Sequence, residues 1–249
     1  MFRKEMPRVY ELRDLIENPA TPSAYFQDFD NSLRDEPSKK KTWLAREREF
    51  QRLDGHSWHQ LKDEARPYLA ARDVKGRGWE QLISILNQAR AHNYLIDKGC
   101  SDVRFIPRAK KQGQKTPDLT GELNGKTIIC EVKTINSSAV EVEKRQTGRA
   151  GLTTSVLDAG FFAKFDSTLR CATNQLSSYD REQSATHIVF VVINFDEWPG
   201  QYKSAYYSQI DCHLACNVVS GREIVFYNQR TAYHADVTMS HALVINEPS

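Results

Sequence analysis

Thr116-Pro117-Asp118-Leu119-Thr120-Gly121-Glu122-Leu123-Asn124-Gly125-Lys126-Thr127-Ile128-Ile129-Cys130-Glu131-Val132-Lys133-Thr134 is the stretch on which the reading of this chain turns. Asn124-Gly125 lies between two β-like runs. Both residues tolerate positive φ, which a two-residue hairpin turn requires. The spacing therefore predicts strands over 117–123 and 126–134. Pairing outward from the turn sets Leu123 against Lys126 and Leu119 against Cys130. One step further, Asp118 faces Glu131 in a non-hydrogen-bonded pair, with Cβ atoms about 4.5–5.5 Å apart. Lys133 shares their face, two residues beyond Glu131. Leu119, Leu123, Ile128, Cys130 and Val132 form the opposite, apolar face. A one-residue slip would bury the charges, so the pattern specifies the register.

Two opposed carboxylates repel unless a cation lies between them. A divalent ion relieves that repulsion. Mg²⁺ is commonly held by one or two carboxylates, waters and substrate phosphate oxygens. It can polarise a phosphate and lower the pKa of a bound water. A neighbouring lysine adds positive charge for a developing phosphorane or positions the attacking water. Against this stands the ordinary alternative that Asp, Glu and Lys on one hairpin face are simply a solvated face with an exposed ion pair.

Outward from the hairpin, Trp79, Leu82, Ile83, Leu86 and Ala89 recur at helical spacing, predicting an amphipathic helix over roughly 77–92 with a stop at Gly99. Residues 103–106 read as a short strand. Phe161, Phe165, Leu169, Ala172, Leu176 and Tyr179 trace a second helix over roughly 158–180. Ile188–Ile193 is a continuous apolar run, which suits a strand buried on both faces. A helix over 204–216 and strands over 223–227 and 242–245 follow. This order predicts an α/β fold, a mixed sheet flanked by helices.

Residues 1–70 read differently. They are charge-dense, carry Pro19, Pro22 and Pro37, and suggest helices over 9–17 and 43–69 with breaks near Gly55 and Pro67. We expect an N-terminal helical or irregular accessory region there, and the main domain over 71–249.

Thr116-Pro117-Asp118 followed by Cys130-Glu131-Val132-Lys133 resembles the PD-(D/E)xK nuclease superfamily. The proline, the aspartate, the gap and the apolar run into Glu-x-Lys all match, and the flanking elements resemble the αβββαβ core of the restriction-endonuclease-like fold over roughly 77–195. The resemblance implies hydrolysis of DNA phosphodiester bonds with Mg²⁺ or Mn²⁺, as an endonuclease in restriction, defence or repair; RNA stays open as a substrate. It implies Asp118 and Glu131 as metal ligands, the Val132 carbonyl as a further one, and Lys133 at the hydrolytic water. Members often carry a glutamate on the first core helix, which Glu80 would supply. Some carry Gln-x-x-x-Tyr on the helix after the hairpin, which Gln175 and Tyr179 fit. The alternative is an inactive nucleic-acid- or protein-binding module on the same fold. A third reading places the function in residues 1–70, as a recognition element, a dimerisation arm or a docking site.

The net charge of +2 does not argue for a nucleic-acid partner, so a local patch must do so. Arg108, Lys110, Lys111 and Lys115 precede the hairpin, and Lys144, Arg145 and Arg149 follow it. Both groups are candidate phosphate contacts. Solvated loops are the alternative for each. Cys212, His213 and Cys216 lack a second ligand pair at zinc-finger spacing, so buried thiols are favoured. Five cysteines and no apolar leader suggest reduced thiols in a cytoplasmic protein. No run is long enough for a membrane span. A homodimer is allowed and not specified.

Overall fold

The computed structural model describes residues 2–16, 25–70, 80–108, 115–136, 155–195, 203–216, 223–230 and 242–244. The helices are α1 (Pro7–Asp14), α2 (Phe29–Asp35), α3 (Pro37–Gln51), α4 (Gly55–Leu69), α5 (Glu80–Leu86), α6 (Gln88–Asp97), α7 (Ala159–Tyr179) and α8 (Lys203–Cys216). The strands are β1 (Ser101–Phe105), β2 (Leu119–Leu123), β3 (Lys126–Ile135), β4 (Thr186–Phe195), β5 (Glu223–Arg230) and β6 (Ala242–Val244).

The strands form one mixed sheet in the order β1-β2-β3-β4-β5-β6. β1, β2 and β3 are antiparallel neighbours, β3-β4 and β4-β5 are parallel, and β6 returns antiparallel. The hairpin turn has Asn124 at φ 52° and Gly125 at φ 75°. Its register is the expected one from Leu123–Lys126 to Leu119–Cys130. A Cβ added at Gly125 meets nothing within 4 Å, so any cost there is backbone strain alone. Gly125→Ala is expected to lower stability by about 1 kcal/mol, or about 3 °C in melting temperature, without altering the site. Thermal unfolding measures it, and an unchanged Tm would contradict the strained turn.

Helices cover both faces of the sheet. On one face Leu119, Ile128, Cys130, Val132, Ile188, Phe190 and Val192 pack with α1 to α6 in a single apolar cluster. On the other, Ile129, Ile135, Val189, Val191 and Ile193 pack against Phe165, Leu169, Ala172 and Leu176 of α7 and Ile210 and Leu214 of α8. β4 is therefore buried on both faces, as its unbroken apolar run requires. α7 starts at Asp158, whose carboxylate accepts the Phe161 N–H at 2.7 Å.

Several boundaries differ from the sequence reading. The helix expected over 77–92 is two helices: its first three positions lie outside the described residues, a turn at Asn87 interrupts it, and α6 continues to Asp97. The chain then turns at Gly99, φ 92°. Pro117 and Asp118 lie outside β2. In the N-terminal part Gly55 opens α4, while Pro67 sits within its last turn without ending it.

The N-terminal helices share one core with the sheet. Met6, Leu12, Phe26, Phe50 and Leu61 belong to the same cluster as Leu86, Leu95 and Leu119. Polar ties reinforce this. The Glu47 carboxylate accepts the N–H groups of Arg8 and Val9 at 3.2 and 2.9 Å, capping α1 from α3. Glu49 of α3 bridges Arg46 at 3.0 Å and Arg90 of α6 at 2.9 Å. No helix among the described residues is long and apolar enough to cross a membrane.

Candidate active site

β2 and β3 part company after the Leu119–Cys130 pair. The Asp118 N–H donates to the Cys130 carbonyl at 3.1 Å, and the Asp118 carbonyl accepts the Ile106 N–H at 2.9 Å. The chain has left the ladder here, so the expected Asp118–Glu131 backbone pair does not form. The consequence is chemical. Beyond Cys130 the edge of β3 toward β2 has no strand partner among the described residues, and the Asp118 side chain takes that place. Its Oδ2 accepts the Val132 N–H at 2.7 Å. The Val132 carbonyl points to the same edge as its N–H, because both groups of a strand residue face one neighbour.

Gln88 of α6 donates its Nε2–H to Asp118 Oδ1 at 3.0 Å. Glu131 lies on the face covered by α7 and is only 2% exposed. Lys133 Nζ donates to its Oε1 at 2.5 Å, and Gln175 Nε2 of α7 donates to its Oε2 at 2.7 Å. Gln175 also reaches the Thr116 carbonyl at 2.6 Å, tying α7 to the segment that leads into Asp118. Each of the four carboxylate oxygens thus has a donor.

Burial pushes the Glu131 carboxyl up to about 8, repulsion from Asp118 pushes the same way, and Lys133 opposes both. Burial also raises Asp118, to about 6, against the Val132 N–H and Lys133. The Glu64 carboxylate of α4 adds to that rise, and Arg108 counters it. Arg108 and Glu64 are themselves an ion pair at 3.3 Å. Two acids and one lysine in a half-dry niche make a site short of positive charge. Carboxylate and carbonyl oxygens are the hard donors that Mg²⁺ or Mn²⁺ takes, so the residues present fit such an ion.

The fold brings together Asp118, Glu131, Val132, Lys133 and Gln175. Glu80 begins α5, where its carbonyl accepts the Ser84 hydroxyl at 2.7 Å. Among the described residues no three His, Cys, Asp or Glu side chains gather as a metal group, so Glu80 does not complete one with Asp118 and Glu131. Tyr179 is exposed at the end of α7. Lys115 is exposed beside the site, while Lys110, Lys111, Lys144, Arg145 and Arg149 lie outside the described residues. The five cysteines are free thiols, with Cys100 and Cys130 buried and Cys171, Cys212 and Cys216 exposed, so the buried-thiol reading fails for Cys212 and Cys216.

Gln88, Glu64 and Asn87 escaped the sequence reading. α6 buries Gln88, Arg90, His92 and Asn93 together with its alanines and Leu95, so it carries no clean apolar stripe from which a buried polar group would stand out. Glu64 reaches the site from the far side of the Gly55 break, a placement that no local spacing encodes.

No family model, curated protein or solved structure matches this chain.

Proposed function

We propose that this chain is a Mg²⁺- or Mn²⁺-dependent phosphodiester hydrolase acting on DNA, with Asp118, Glu131 and Lys133 as its reactive group. The observation that carries the reading is the placement of Glu131. Its carboxyl is buried beside a second carboxyl, against both desolvation and repulsion, and is gripped at both oxygens by Lys133 and Gln175. A structural ion pair has no need of the second acid. Burial beside a like charge is the arrangement by which functional sites shift their acids, and it makes Glu131 a candidate for such a role. The order α6-β1-β2-β3-α7-β4 agrees with the αβββαβ core that the motif's resemblance implies.

Asp118, Glu131 and the Val132 carbonyl would hold the ion, which when bound polarises the scissile phosphate and acidifies water. Lys133, beside Glu131, would orient the attacking water and face the charge that develops on the phosphoryl oxygens. Gln175 keeps the Glu131 carboxyl from swinging away. Lys115, with Lys110, Lys111, Arg145 and Arg149, would hold backbone phosphates, giving the cleavage a steep salt dependence.

Titration calorimetry with Mn²⁺, run beside cleavage of linear and circular duplex, single-stranded DNA, branched DNA and RNA, tests the reading. The expected result is one bound ion that Asp118→Asn weakens at least about tenfold, and Mg²⁺-dependent cleavage of at least one DNA form. An absence of divalent binding even with DNA present would instead favour a binding module.

A further inference from the structure

Asn87 and Gln88, the two residues at the break between α5 and α6, touch both walls of the site. Gln88 holds Asp118 Oδ1. Asn87, fully buried, donates from Nδ2 to the Thr134 hydroxyl at 3.0 Å, next to Lys133 on β3. Its Oδ1 accepts from Arg46 Nη2 of α3 at 2.7 Å. Both ends of the Asn87 amide are therefore committed, and a flip would set its NH₂ against a guanidinium. Arg46 is in turn held by Glu49, which also holds Arg90 of α6. Hydrogen bonds thus lead from Glu49 and Arg46 of α3 through Asn87 to Thr134 on β3, and the adjacent Gln88 reaches the segment that carries Asp118.

We propose that Asn87 and Gln88 are positioning residues for the Asp118–Glu131–Lys133 site, and that α3 takes part in the site through Arg46. The inference rests on the proposed hydrolase reading for its kinetic consequence but not for its geometry. Gln88 sets which Asp118 oxygen faces the Val132 N–H. Asn87 sets the distance of β3 from α6, and with it the place of Lys133. Residues 1–70 then serve the chemistry itself and are no separable attachment. Supporting contacts of this kind change metal affinity or activity about 10–100-fold when removed.

The test uses the full chain carrying Gln88→Leu, Asn87→Ala, Thr134→Val and Thr134→Ser. Three quantities are read: Mn²⁺ affinity by calorimetry, kcat and KM for the best DNA form, and amide hydrogen exchange at Val132. Gln88→Leu is expected to weaken Mn²⁺ binding and lower kcat about tenfold with KM within about twofold, and to speed Val132 exchange by a similar factor. Asn87→Ala and Thr134→Val are expected to lower kcat alike. Their combination should be no worse than Asn87→Ala alone, because Thr134→Val removes only a bond that Asn87→Ala has already broken, while Asn87→Ala also takes a partner from Arg46. Thr134→Ser keeps the hydroxyl and should keep activity. Variants that melt earlier but retain Mn²⁺ affinity, kcat and Val132 protection would overturn the proposal. If Asn87→Ala does not fold, the Thr134 pair carries the same comparison. A wild-type chain that neither binds Mn²⁺ nor cleaves would defeat the hydrolase reading, and Val132 exchange in Gln88→Leu would then decide the positioning role by itself.

Discussion

Glu131→Gln is expected to abolish cleavage and, at the same time, to make the metal-free protein more stable above about pH 6. The loss of activity follows from the proposed chemistry. Removing a metal-binding charge forfeits several kcal/mol of transition-state stabilisation, or about three orders of magnitude in rate. The gain in stability follows from the site's electrostatics. In the folded chain the Glu131 carboxyl keeps its proton up to about 8, raised from an ordinary 4.5 by burial and by Asp118. The unfolded chain releases that proton near 4.5. Folding therefore takes up a proton between those values, and the wild-type protein loses stability as pH rises through that window. An amide cannot ionise, so Glu131→Gln escapes the loss. Part of the benefit disappears with the Lys133 ion pair. A net gain of roughly 2 kcal/mol near pH 8, or about 5 °C in Tm, is expected, shrinking to nothing below pH 4.5. Thermal melts of both proteins from pH 4 to 9 in a chelator measure it. Cleavage within tenfold of wild type in both Glu131→Gln and Lys133→Ala would refute the assignment, whereas a pH-independent Tm difference would refute only the electrostatics.

Glu49→Ala is expected to be the most destabilising single change near the site, by about 3–5 kcal/mol. Arg90 has a side chain only 1% exposed and shares the Glu49 carboxylate with the nearly buried Arg46. Burial alone would raise the Glu49 pKa, but Arg90 and Arg46 outweigh it and hold the group below its ordinary range. Stability from this cluster is thus present above the ordinary carboxylate range and is lost as pH falls through the depressed value. Truncation removes the charge that both guanidiniums face. A fall of about 10 °C in Tm is expected by calorimetry at pH 7. Replacing Arg46, Glu49 and Arg90 together by apolar residues of similar volume should restore much of the stability, since apolar packing substitutes well for buried ion pairs. It should leave kcat low, because Asn87 has then lost Arg46. A Glu49→Ala protein melting within about 2 °C of wild type would show that the cluster contributes little.

The elements of the sheet were legible in the sequence because their signals are local. Asn124-Gly125 admits few backbone conformations, and the apolar run at Ile188–Ile193 admits few environments. The hairpin register followed from that turn and from the alternation of apolar and charged faces, and it holds from Leu123–Lys126 to Leu119–Cys130, one pair short of the expected Asp118–Glu131. The site was legible in part for the same reason: Asp118, Glu131 and Lys133 lie on one hairpin, and Gln175 lies on the helix that covers it. Reading failed where a side chain decides the backbone. The Asp118 carboxylate bonds the Val132 N–H in place of a strand partner, and a buried Asn87 interrupts a helix that its periodicity would have continued.

By itself the sequence determined an α/β sheet, its turn and register, and a pair of acids beside a lysine, because periods of two and 3.6 residues and a positive-φ dipeptide act over a few neighbours. Only the tertiary structure decided which helices cover which face, α1 to α6 on one side and α7 and α8 on the other, and that the N-terminal helices share the sheet's core. It alone decided that Gln88 of α6 reaches Asp118, and that Arg46 of α3 holds the Asn87 amide that bonds Thr134 of β3. Those are contacts between residues some 30 to 50 positions apart, as in Gln88–Asp118 and Asn87–Thr134. They exist only once apolar burial on both faces has brought the layers together, and no spacing along the chain records them.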